Sequence, residues 1–346
     1  MRLGGRNMTF NPVLIIAKVE KPEWYKATAR FGAADARIAL LQVGTAVAAY
    51  LGLLALMAWT VLRGVPYWVT LLLALPAGAM FSRLFIFFHD CTHSSFLPSP
   101  RWNRNVGYLC GILTFTPFHD WRRRHAGHHI TVGDLDRRGV GDVTTMTVDE
   151  YRAAPFLTRL GYRLFRHPLV LLGLGPVYTF LLVNRFPAEG AKKMDVISVL
   201  ATDLALAAIV AAAGLTIGLK TYLLVQLPAF ILPATLGVWL FYNQHQFEGV
   251  YWARHAEWDP WRAALEGASF YDLPRWLHWV TGHIGIHHVH HVRPAIPNYR
   301  LQECYDAVPE LRAVKPLTVR RSLGSMRLNL YDEQRRKMVS FGDAAR

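Results

Sequence analysis

This chain contains three short clusters of histidines, whose residue type and spacing are those of metal ligands. The clusters lie at 89–93 (HDCTH), 125–129 (HAGHH) and 287–291 (HHVHH). Residues three or four positions apart share one face of a helix, so each cluster directs two or three imidazoles the same way. The imidazoles that share such a face number eight: His89, His93, His125, His128, His129, His287, His290 and His291. Because one zinc ion takes four ligands in all, eight imidazoles favour two neighbouring metal ions.

Long apolar segments are the elements that must position these clusters. Four of them are present, at 37–62, 64–88, 195–219 and 221–243. Each meets the roughly 20 residues that a helix needs to cross a bilayer. The sequence therefore predicts an all-α integral membrane protein with four transmembrane helices, whose polar segments 94–194 and 244–346 form a cytoplasmic cap around the metal site. We expect a single domain over 1–346, with a kink in the fourth segment at Pro228 and Pro233.

The distribution of charge predicts the orientation of the chain in the membrane. The formal net charge is +14, yet only Arg63 and Lys220 lie in the two short turns between paired apolar segments. Eleven arginines lie between Pro98 and His167, and the last hundred residues carry fourteen lysines or arginines. Basic residues accumulate on the cytoplasmic side, so we expect the N-terminal, middle and C-terminal segments to be cytoplasmic. The first 36 residues show no cleavable signal pattern, and no nucleic-acid-binding motif accompanies the charge.

An even number of spans separates each cluster from the next, which predicts that all three clusters meet on one face of the membrane. The segment 168–186 is apolar for only about fifteen residues and contains Pro176, so we expect it to be interfacial or re-entrant. If it crossed the membrane, the third cluster would lie opposite the other two. The short apolar segment 105–118 and the aromatic-rich segment 270–279 receive the same interfacial interpretation.

The residue types in the clusters argue against some functions, but they do not identify the metal. Imidazole ligands suit iron, zinc, copper and nickel. No glutamate lies between His89 and His93, as the helix of a zinc protease would require, and the Glu-x-x-His pattern of soluble di-iron bundles is missing from the clusters. A metal transporter would place its ligands near the bilayer midplane, whereas these clusters follow the ends of spans. Cys91, Cys110 and Cys304 have no metal-finger spacing, and we expect them to be packing residues.

The cluster patterns HxxxH, HxxHH and HxxHH, in this order, resemble those of the membrane fatty acid desaturases, specifically the bacterial acyl-lipid type. Longer strings carry the same resemblance: FHDWRRRHAGHH at 118–129, GDLDRRG at 133–139, FYNQHQFE at 241–248, TGHIGIHHVHH at 281–291 and IPNY at 296–299. The resemblance runs from about residue 35 to about residue 325 and keeps the order of the motifs.

The resemblance implies a four-span fold whose cytoplasmic cap holds two iron ions, with His245 at the end of the fourth span as a ninth ligand. On position alone, a histidine at a membrane boundary is more often a headgroup contact. The implied activity is oxygen-dependent introduction of a double bond into a long acyl chain, carried by a membrane lipid or an acyl thioester, at the cytoplasmic face of the bacterial inner membrane. A hydroxylase or ketolase of alkyl chains or carotenoids, and a non-enzymatic metal sensor or carrier, are the alternatives.

Electrons for such a reaction are expected from a second protein. The sequence has no dinucleotide-binding glycine fingerprint between a strand and a helix, and no fused haem domain is apparent. A basic cap would attract an acidic carrier, so a ferredoxin-like donor is the expected partner.

Further polar residues near the clusters have two possible roles. Three of them could orient ligand imidazoles by accepting their free N–H, or form ordinary hydrogen bonds: Asp90, Asp120 and Glu248. His283 precedes His287 by four positions and would share its helical face, yet related sequences often have asparagine there, which favours a supporting role over ligation. His288 lies off the ligand face and is expected to be structural. We expect surface or interface positions for His119, His167, His255 and His278.

Four arginines could bind an anion. Arg83 lies near the cytoplasmic end of the second span, where it could extend to the interface or anchor a lipid headgroup, and the first role is favoured. Arg122, Arg137 and Arg138 flank the second cluster and could bind phosphate or a donor protein, or form a solvated basic surface.

Overall fold

The computed structural model describes residues 20–345, so the predicted cytoplasmic N-terminal segment falls largely outside the described residues. Within that range, four helices are long and apolar enough to cross a membrane. They are Ala36–Leu62 (α2), Tyr67–Thr92 (α3), Lys193–Thr216 (α9) and Leu219–His245 (α10). The predicted helical membrane fold with four spans is confirmed.

The ends of these spans differ by a few residues from the predicted ones, and the turns explain why. Gly64, which has a φ of +66°, and Pro66 delay the start of the second span to Tyr67. The third span ends early, at Thr216, because the chain turns at Gly218. Gly218 has a φ of +83°, a left-handed backbone conformation that glycine adopts readily. At their other ends, the second and fourth spans continue to Thr92 and His245. Both helices therefore carry a predicted ligand, His89 or His245, in the last turn.

Small residues let the spans approach one another closely. Ala39, Ala46, Ala74 and Ala77 are buried between helices, as is usual where packing rather than hydrophobic burial drives helix association in lipid. Gly78 on α3 faces Pro233 on α10, and a methyl group at Gly78 would lie 3.1 Å from the proline ring. Helix α10 continues through Pro228 as well as Pro233, from Leu219 to His245. Large apolar side chains such as Leu215 and Leu204 face outward, where lipid would contact them.

The cap consists of short elements that surround the ends of the spans. Its helices are α1 (Glu23–Ala27), α4 (Pro100–Leu113), α5 (Phe118–Thr131), α6 (Val148–Ala153), α7 (Phe156–Arg166), α8 (Gly175–Leu181), α11 (Pro260–Glu266), α12 (Arg275–Val280), α13 (His287–Val292), α14 (Asn298–Ala307), α15 (Pro309–Arg312) and α16 (Val319–Ser325). Its strands are β1 (Met146–Thr147), β2 (Phe270–Asp272), β3 (Pro316–Thr318), β4 (Leu330–Asp332) and β5 (Lys337–Val339). Strand β4 pairs in parallel with β1 and antiparallel with β5, and β2 pairs in parallel with β3.

The segment between α6 and α9 returns to the side from which it came. It consists of α7 and the helical stretch Leu169–Arg185, which are bent by 63° relative to each other. Just before the apolar segment 168–186, Arg166 at the end of α7 donates a hydrogen bond to the Leu328 carbonyl in the cap, and near the end of that segment Asn184 accepts one from Arg124 of α5. Both ends of the segment therefore lie on the cap side, which agrees with the prediction of an interfacial or re-entrant segment.

The other two predicted interfacial segments contain amphipathic structure. Helix α4 buries Val106 and Cys110 and exposes Trp102 and Leu109. Helix α12 exposes Trp276 and Trp279, a residue type that favours the headgroup zone of a bilayer. The three cysteines are free and buried, in agreement with the predicted packing role.

Candidate metal centre

The three clusters sit on helix ends that converge at the cap side of the spans. His89 lies in the last turn of α3, and His93 directly follows that helix. The second cluster lies in the C-terminal half of α5, and the third cluster occupies α13. His245 is the last residue of α10. The fold therefore brings together all nine histidines that the sequence and the resemblance identify as ligands.

The nine imidazoles form two separate groups. One group has five members: His89, His93, His125, His129 and His290. The other group has four members: His128, His245, His287 and His291. Within each group, the nitrogen atoms that could bind a metal all lie within 4.8 Å of one another. We call them the five-histidine group and the four-histidine group.

The histidines of one sequence cluster do not all belong to the same group in space. On α5, His125 and His129 are one turn apart and join the five-histidine group, whereas His128 joins the other. On α13, His290 belongs to the five-histidine group, and His287 and His291 belong to the four-histidine group. The rings of His129 and His291, one from each group, stack with centroids 4.2 Å apart. Helices α5 and α13 therefore lie between the two groups and contribute histidines to both.

The distances between ring nitrogens fit a bound metal ion. In the four-histidine group, His245 Nε2 lies 3.1 Å from His128 Nε2 and 3.0 Å from His287 Nε2. In the five-histidine group, His129 Nε2 lies 3.1 Å from both His125 Nε2 and His290 Nε2. Ligands about 2.0–2.1 Å from one ion, at tetrahedral or octahedral angles, are about 2.9–3.4 Å apart. Two metal ions bound almost wholly by imidazole therefore fit these residues.

Several ligand imidazoles are fixed through the nitrogen that points away from the metal position. The Nδ1 atom of His89 lies 3.1 Å from Asp90 Oδ1, and Asp90 also accepts hydrogen bonds from the backbone and side chain of Asn298. His245 Nδ1 lies 3.0 Å from the Gly267 carbonyl oxygen. An acceptor on Nδ1 selects the tautomer that leaves Nε2 free to bind metal. Asp90, which contacts Nδ1 of His89, is therefore placed to orient that imidazole, as the sequence suggested.

Asp142 is a carboxylate that the sequence interpretation missed. Its Oδ1 atom contacts Nδ1 of His128 in the four-histidine group. The signal was the string Gly139-Val140-Gly141-Asp142, in which two glycines surround a turn just after the second cluster. Gly141 has a φ of +70°, and a methyl group there would lie 3.3 Å from the His128 Cβ atom. The glycine thus lets the loop pass close enough for Asp142 to reach the imidazole.

Three of the residues considered as supports for ligands lie elsewhere. Asp120 is buried, but it accepts hydrogen bonds from Arg123 and the Ala188 backbone and pairs with Arg124. Glu248 is exposed, and in the described part of the chain it forms no ion pair or hydrogen bond with a histidine. His283 precedes α13, which begins only at His287, so the expected shared helical face does not exist. Its φ is +57°, and its ring stacks on His278 instead.

The remaining histidines are outside both groups. His288 is fully buried, and its Nε2 lies 3.0 Å from the Leu311 carbonyl oxygen, as expected of a structural residue. Burial lowers the pKa of His288 to about 4. His167 and His255 are exposed, and His119 is half-buried. His278 was expected at the surface or interface, but it is 8% exposed, because Trp276 and Trp279 take the outward positions on its helix.

The four arginines have unequal access to a ligand. Arg83 is buried, donates a hydrogen bond to the Trp279 carbonyl and lies over that residue's ring, so it does not extend to solvent. Arg137 is paired with Asp134 and Arg138 with Glu150, at 2.5 Å in each case. Arg122 is exposed and forms no ion pair within the described residues. Arg122 is therefore the member of this set most available to an anionic partner.

Burial favours the neutral form of five of these imidazoles. Desolvation, followed by the neighbouring histidines, holds the pKa of His125, His129 and His290 well below the ordinary value. The same causes, in the same order, act on the pKa of His287 and His291. A neutral imidazole has a free lone pair, which is the form that binds a metal.

Comparison with known proteins agrees with this geometry. The sequence profile of the family described as fatty acid desaturase matches residues 66–321. A protein named fatty acid desaturase from Bacillus subtilis is 44% identical over 277 residues, which cover 80% of this chain and 79% of the relative. The sn-1 oleoyl-lipid 12-desaturase of Synechocystis is 25% identical over 78% of this chain and 74% of the relative. A chloroplast sn-2 acyl-lipid omega-3 desaturase (ferredoxin) of Arabidopsis thaliana is 29% identical over 66% of this chain and 54% of the relative.

Proposed function

Because this chain belongs to the fatty acid desaturase family and is a membrane enzyme that desaturates fatty acyl chains, we propose that its two histidine groups bind two iron ions and use dioxygen. The observation that carries the proposal is the pair of imidazole groups, with nine ligand atoms in two sets. Nine histidines exceed what one metal ion can bind, and iron is among the metals that imidazole suits. The proposed ligands are the nine histidines of these groups.

The proposed reaction converts two adjacent methylenes into a cis or trans double bond. Two hydrogens leave the acyl chain, and one dioxygen takes them up together with two protons and two electrons, giving two waters. When bound, the metal ions would supply the oxidising chemistry that an alkyl chain requires. The polypeptide would supply the binding site, the orientation of the chain and the exclusion of water.

Aromatic side chains beside the ligands form an apolar wall for such a substrate. The Trp121 ring stacks on His125 of the five-histidine group at 4.3 Å, and it also contacts Phe85 and Phe88. Phe241 lies next to the four-histidine group, 5.2 Å from the ring of His245. We propose that these rings keep bulk water from the metal positions and contact the methylenes of the bound chain. An alkyl chain offers no hydrogen bonds, so shape and apolar contact are the means available to hold it.

The electron donor is proposed to be a separate acidic, ferredoxin-like protein. One relative is named as a ferredoxin-dependent enzyme, and this chain carries a net charge of +14. Charge of opposite sign accelerates encounter, and Arg122 offers an exposed cation on the helix that holds the second cluster. We place the cap in the cytoplasm and the spans in the bacterial inner membrane, because the basic residues of the described chain, apart from Arg63 and Lys220, lie on the cap side. The whole chain is proposed to act as one domain.

Product analysis tests the proposed reaction. Membranes containing the protein, an acyl-lipid pool, dioxygen and a reduced ferredoxin should yield fatty acids lighter by two hydrogens in mass spectrometry. A product that instead gains one oxygen atom would contradict desaturation and support the hydroxylase or ketolase. The His290→Ala variant, which lacks one proposed ligand, is the matched control and should give no product.

A further inference from the structure

Arg166 is a buried cation that no carboxylate neutralises within the described residues. It is the last residue of α7, and only 1% of its surface is exposed. Its guanidinium donates to neutral oxygen atoms only: the Thr144 carbonyl at 3.2 Å, the Tyr242 hydroxyl at 3.0 Å, Gln246 Oε1 at 2.9 Å and the Leu328 carbonyl at 2.7 Å. A buried charge without a counter-charge is costly, so these contacts must compensate for its desolvation.

Two of these acceptors belong to segments that hold the four-histidine group. Gln246 directly follows His245, which is one of the ligands. Thr144 lies two residues after Asp142, whose carboxylate contacts Nδ1 of His128. The Nε2 atoms of His128 and His245 are 3.1 Å apart. One guanidinium thus contacts both the loop that orients His128 and the helix end that carries His245.

A second link joins the same two segments. The side-chain amide of Gln246 donates a hydrogen bond to the Thr145 hydroxyl at 3.0 Å, and Thr145 is 1% exposed. The carbonyl end of the same Gln246 side chain accepts from Arg166 at 2.9 Å. Gln246 is therefore held at both ends, and its position relative to loop 142–145 is fixed. A rigid guanidinium with five donors suits several acceptors in fixed directions, whereas a flexible ammonium does not.

We propose that Arg166 is a positioning residue for the four-histidine group. It holds loop 142–145 against the end of α10, so that His128 and His245 direct their Nε2 atoms at the same metal ion. The proposal rests on the metal binding proposed above, and it assigns to an arginine outside the histidine clusters a part in that binding. Partners that orient metal ligands typically affect metal affinity about 10–100-fold.

Titration of iron into the purified full-length protein tests this role. Metal-depleted protein in detergent is titrated with Fe²⁺ without oxygen, and bound iron is followed by mass spectrometry and Mössbauer spectroscopy. The unsubstituted protein should bind two iron ions. Arg166→Lys should bind one iron with unchanged affinity and the other about 10–100-fold more weakly. Thr145→Val removes the second link and the hydrogen bond from the Thr145 hydroxyl to the Val143 carbonyl but leaves the contacts of Arg166 in place, and it should weaken the same iron by a smaller factor.

One control variant and two double variants distinguish positioning from a general effect on folding. Arg185→Lys is the matched control, because Arg185 is also largely buried but pairs with Asp203 and contacts the Phe115 carbonyl. It should leave both iron affinities unchanged. In a His290→Ala background, where the five-histidine group is disrupted, Arg166→Lys should weaken the iron that remains. In a His287→Ala background it should have no additional effect, because the four-histidine group is already lost.

Several results would overturn the proposal. Two irons bound to Arg166→Lys with unchanged affinity would do so, and so would an equal loss from both groups. A lower melting temperature with unchanged iron binding would assign Arg166 a purely structural role. If Arg166→Lys cannot be purified, unchanged iron binding by Thr145→Val contradicts the proposal, and selective weakening supports it. If the unsubstituted protein binds no iron, the proposed function itself fails, which is a distinguishable outcome.

Discussion

At the scale of single residues, three of the nine imidazoles are held by an acceptor at Nδ1, the nitrogen that points away from the metal-binding group. Asp90, Asp142 and the Gly267 carbonyl contact the Nδ1 atoms of three ligands, one acceptor each. The sequence predicted which cluster histidines lie together because spacing on a helix is visible in the chain itself, and their role as ligands stays a prediction. It did not predict Asp142, because that contact depends on how a loop folds back over α5, which no helical period describes.

Separate substitution of His288 and His290, two histidines of the third cluster, should distinguish metal ligation from packing. His290→Ala removes a nitrogen of the five-histidine group and should abolish turnover, while the spans, held by backbone hydrogen bonds and packing, still insert and purify normally. His288→Ala should keep most of the activity and lower the melting temperature, because His288 bonds the Leu311 carbonyl instead of a metal position. Iron content, turnover and melting temperature check both. A His288→Ala protein as inactive and iron-poor as His290→Ala would contradict the assignment of faces on α13.

Acidification should destabilise the metal-free protein and release the metal. The folded-state pKa values of His125, His129 and His290 lie well below the ordinary value because of burial. In the unfolded chain these groups take up protons near pH 6.5, so the unfolded state binds more protons below that pH. Stability should therefore be full above about pH 6.5 and fall as the pH is lowered through and below it. Melting temperature and bound iron, measured between pH 8 and pH 5, should fall together, and a metal-free protein more stable at the lower pH would contradict this.

At the scale of secondary-structure elements, α5 and α13 supply histidines to both groups, and a glycine-containing loop packs against α5. The sequence predicted that each cluster would direct its imidazoles in one direction. In the structure, α5 and α13 lie between the two groups, so neighbouring positions such as His128 and His129 belong to different groups. Helical spacing identifies residues that share a broad face, but the tertiary arrangement decides how that face is divided. The expected face for His283 was wrong because α13 starts only at His287.

Gly141 is the residue of that loop on which a substitution should be most informative. It has a φ of +70°, and a side chain there would also approach the Arg124 carbonyl at 3.2 Å and the His128 Cβ at 3.3 Å. Gly141→Val should therefore push Asp142 away from His128 and weaken iron binding by the four-histidine group. Gly139→Val is the matched control, because Gly139 also has a positive φ, +96°, but nothing lies within 4 Å of its added Cβ atom. Equal effects of both substitutions on iron binding would show that backbone strain, and not the contact with α5, is responsible.

At the scale of the whole molecule, hydropathy predicted the number of spans, and the parity of those spans predicted that the clusters meet. Four apolar helices are present, and the segment 168–186 returns to the cap side, so an even number of crossings separates the clusters. The ends of spans were less predictable, because the polar ligands His89 and His245 continue apolar helices that hydropathy ends early. The division of the nine histidines into groups of five and four could not be predicted from the sequence, because each group combines residues that are far apart in the chain.

The measurement that tests the central claim most directly is the metal content of active, purified protein. Two iron ions per chain are expected, because two groups of imidazoles lie at distances that fit two metal ions. Each single ligand variant should lose one iron preferentially, His290→Ala from the five-histidine group and His287→Ala from the four-histidine group. Active protein that contains a single zinc ion and no iron would contradict the account.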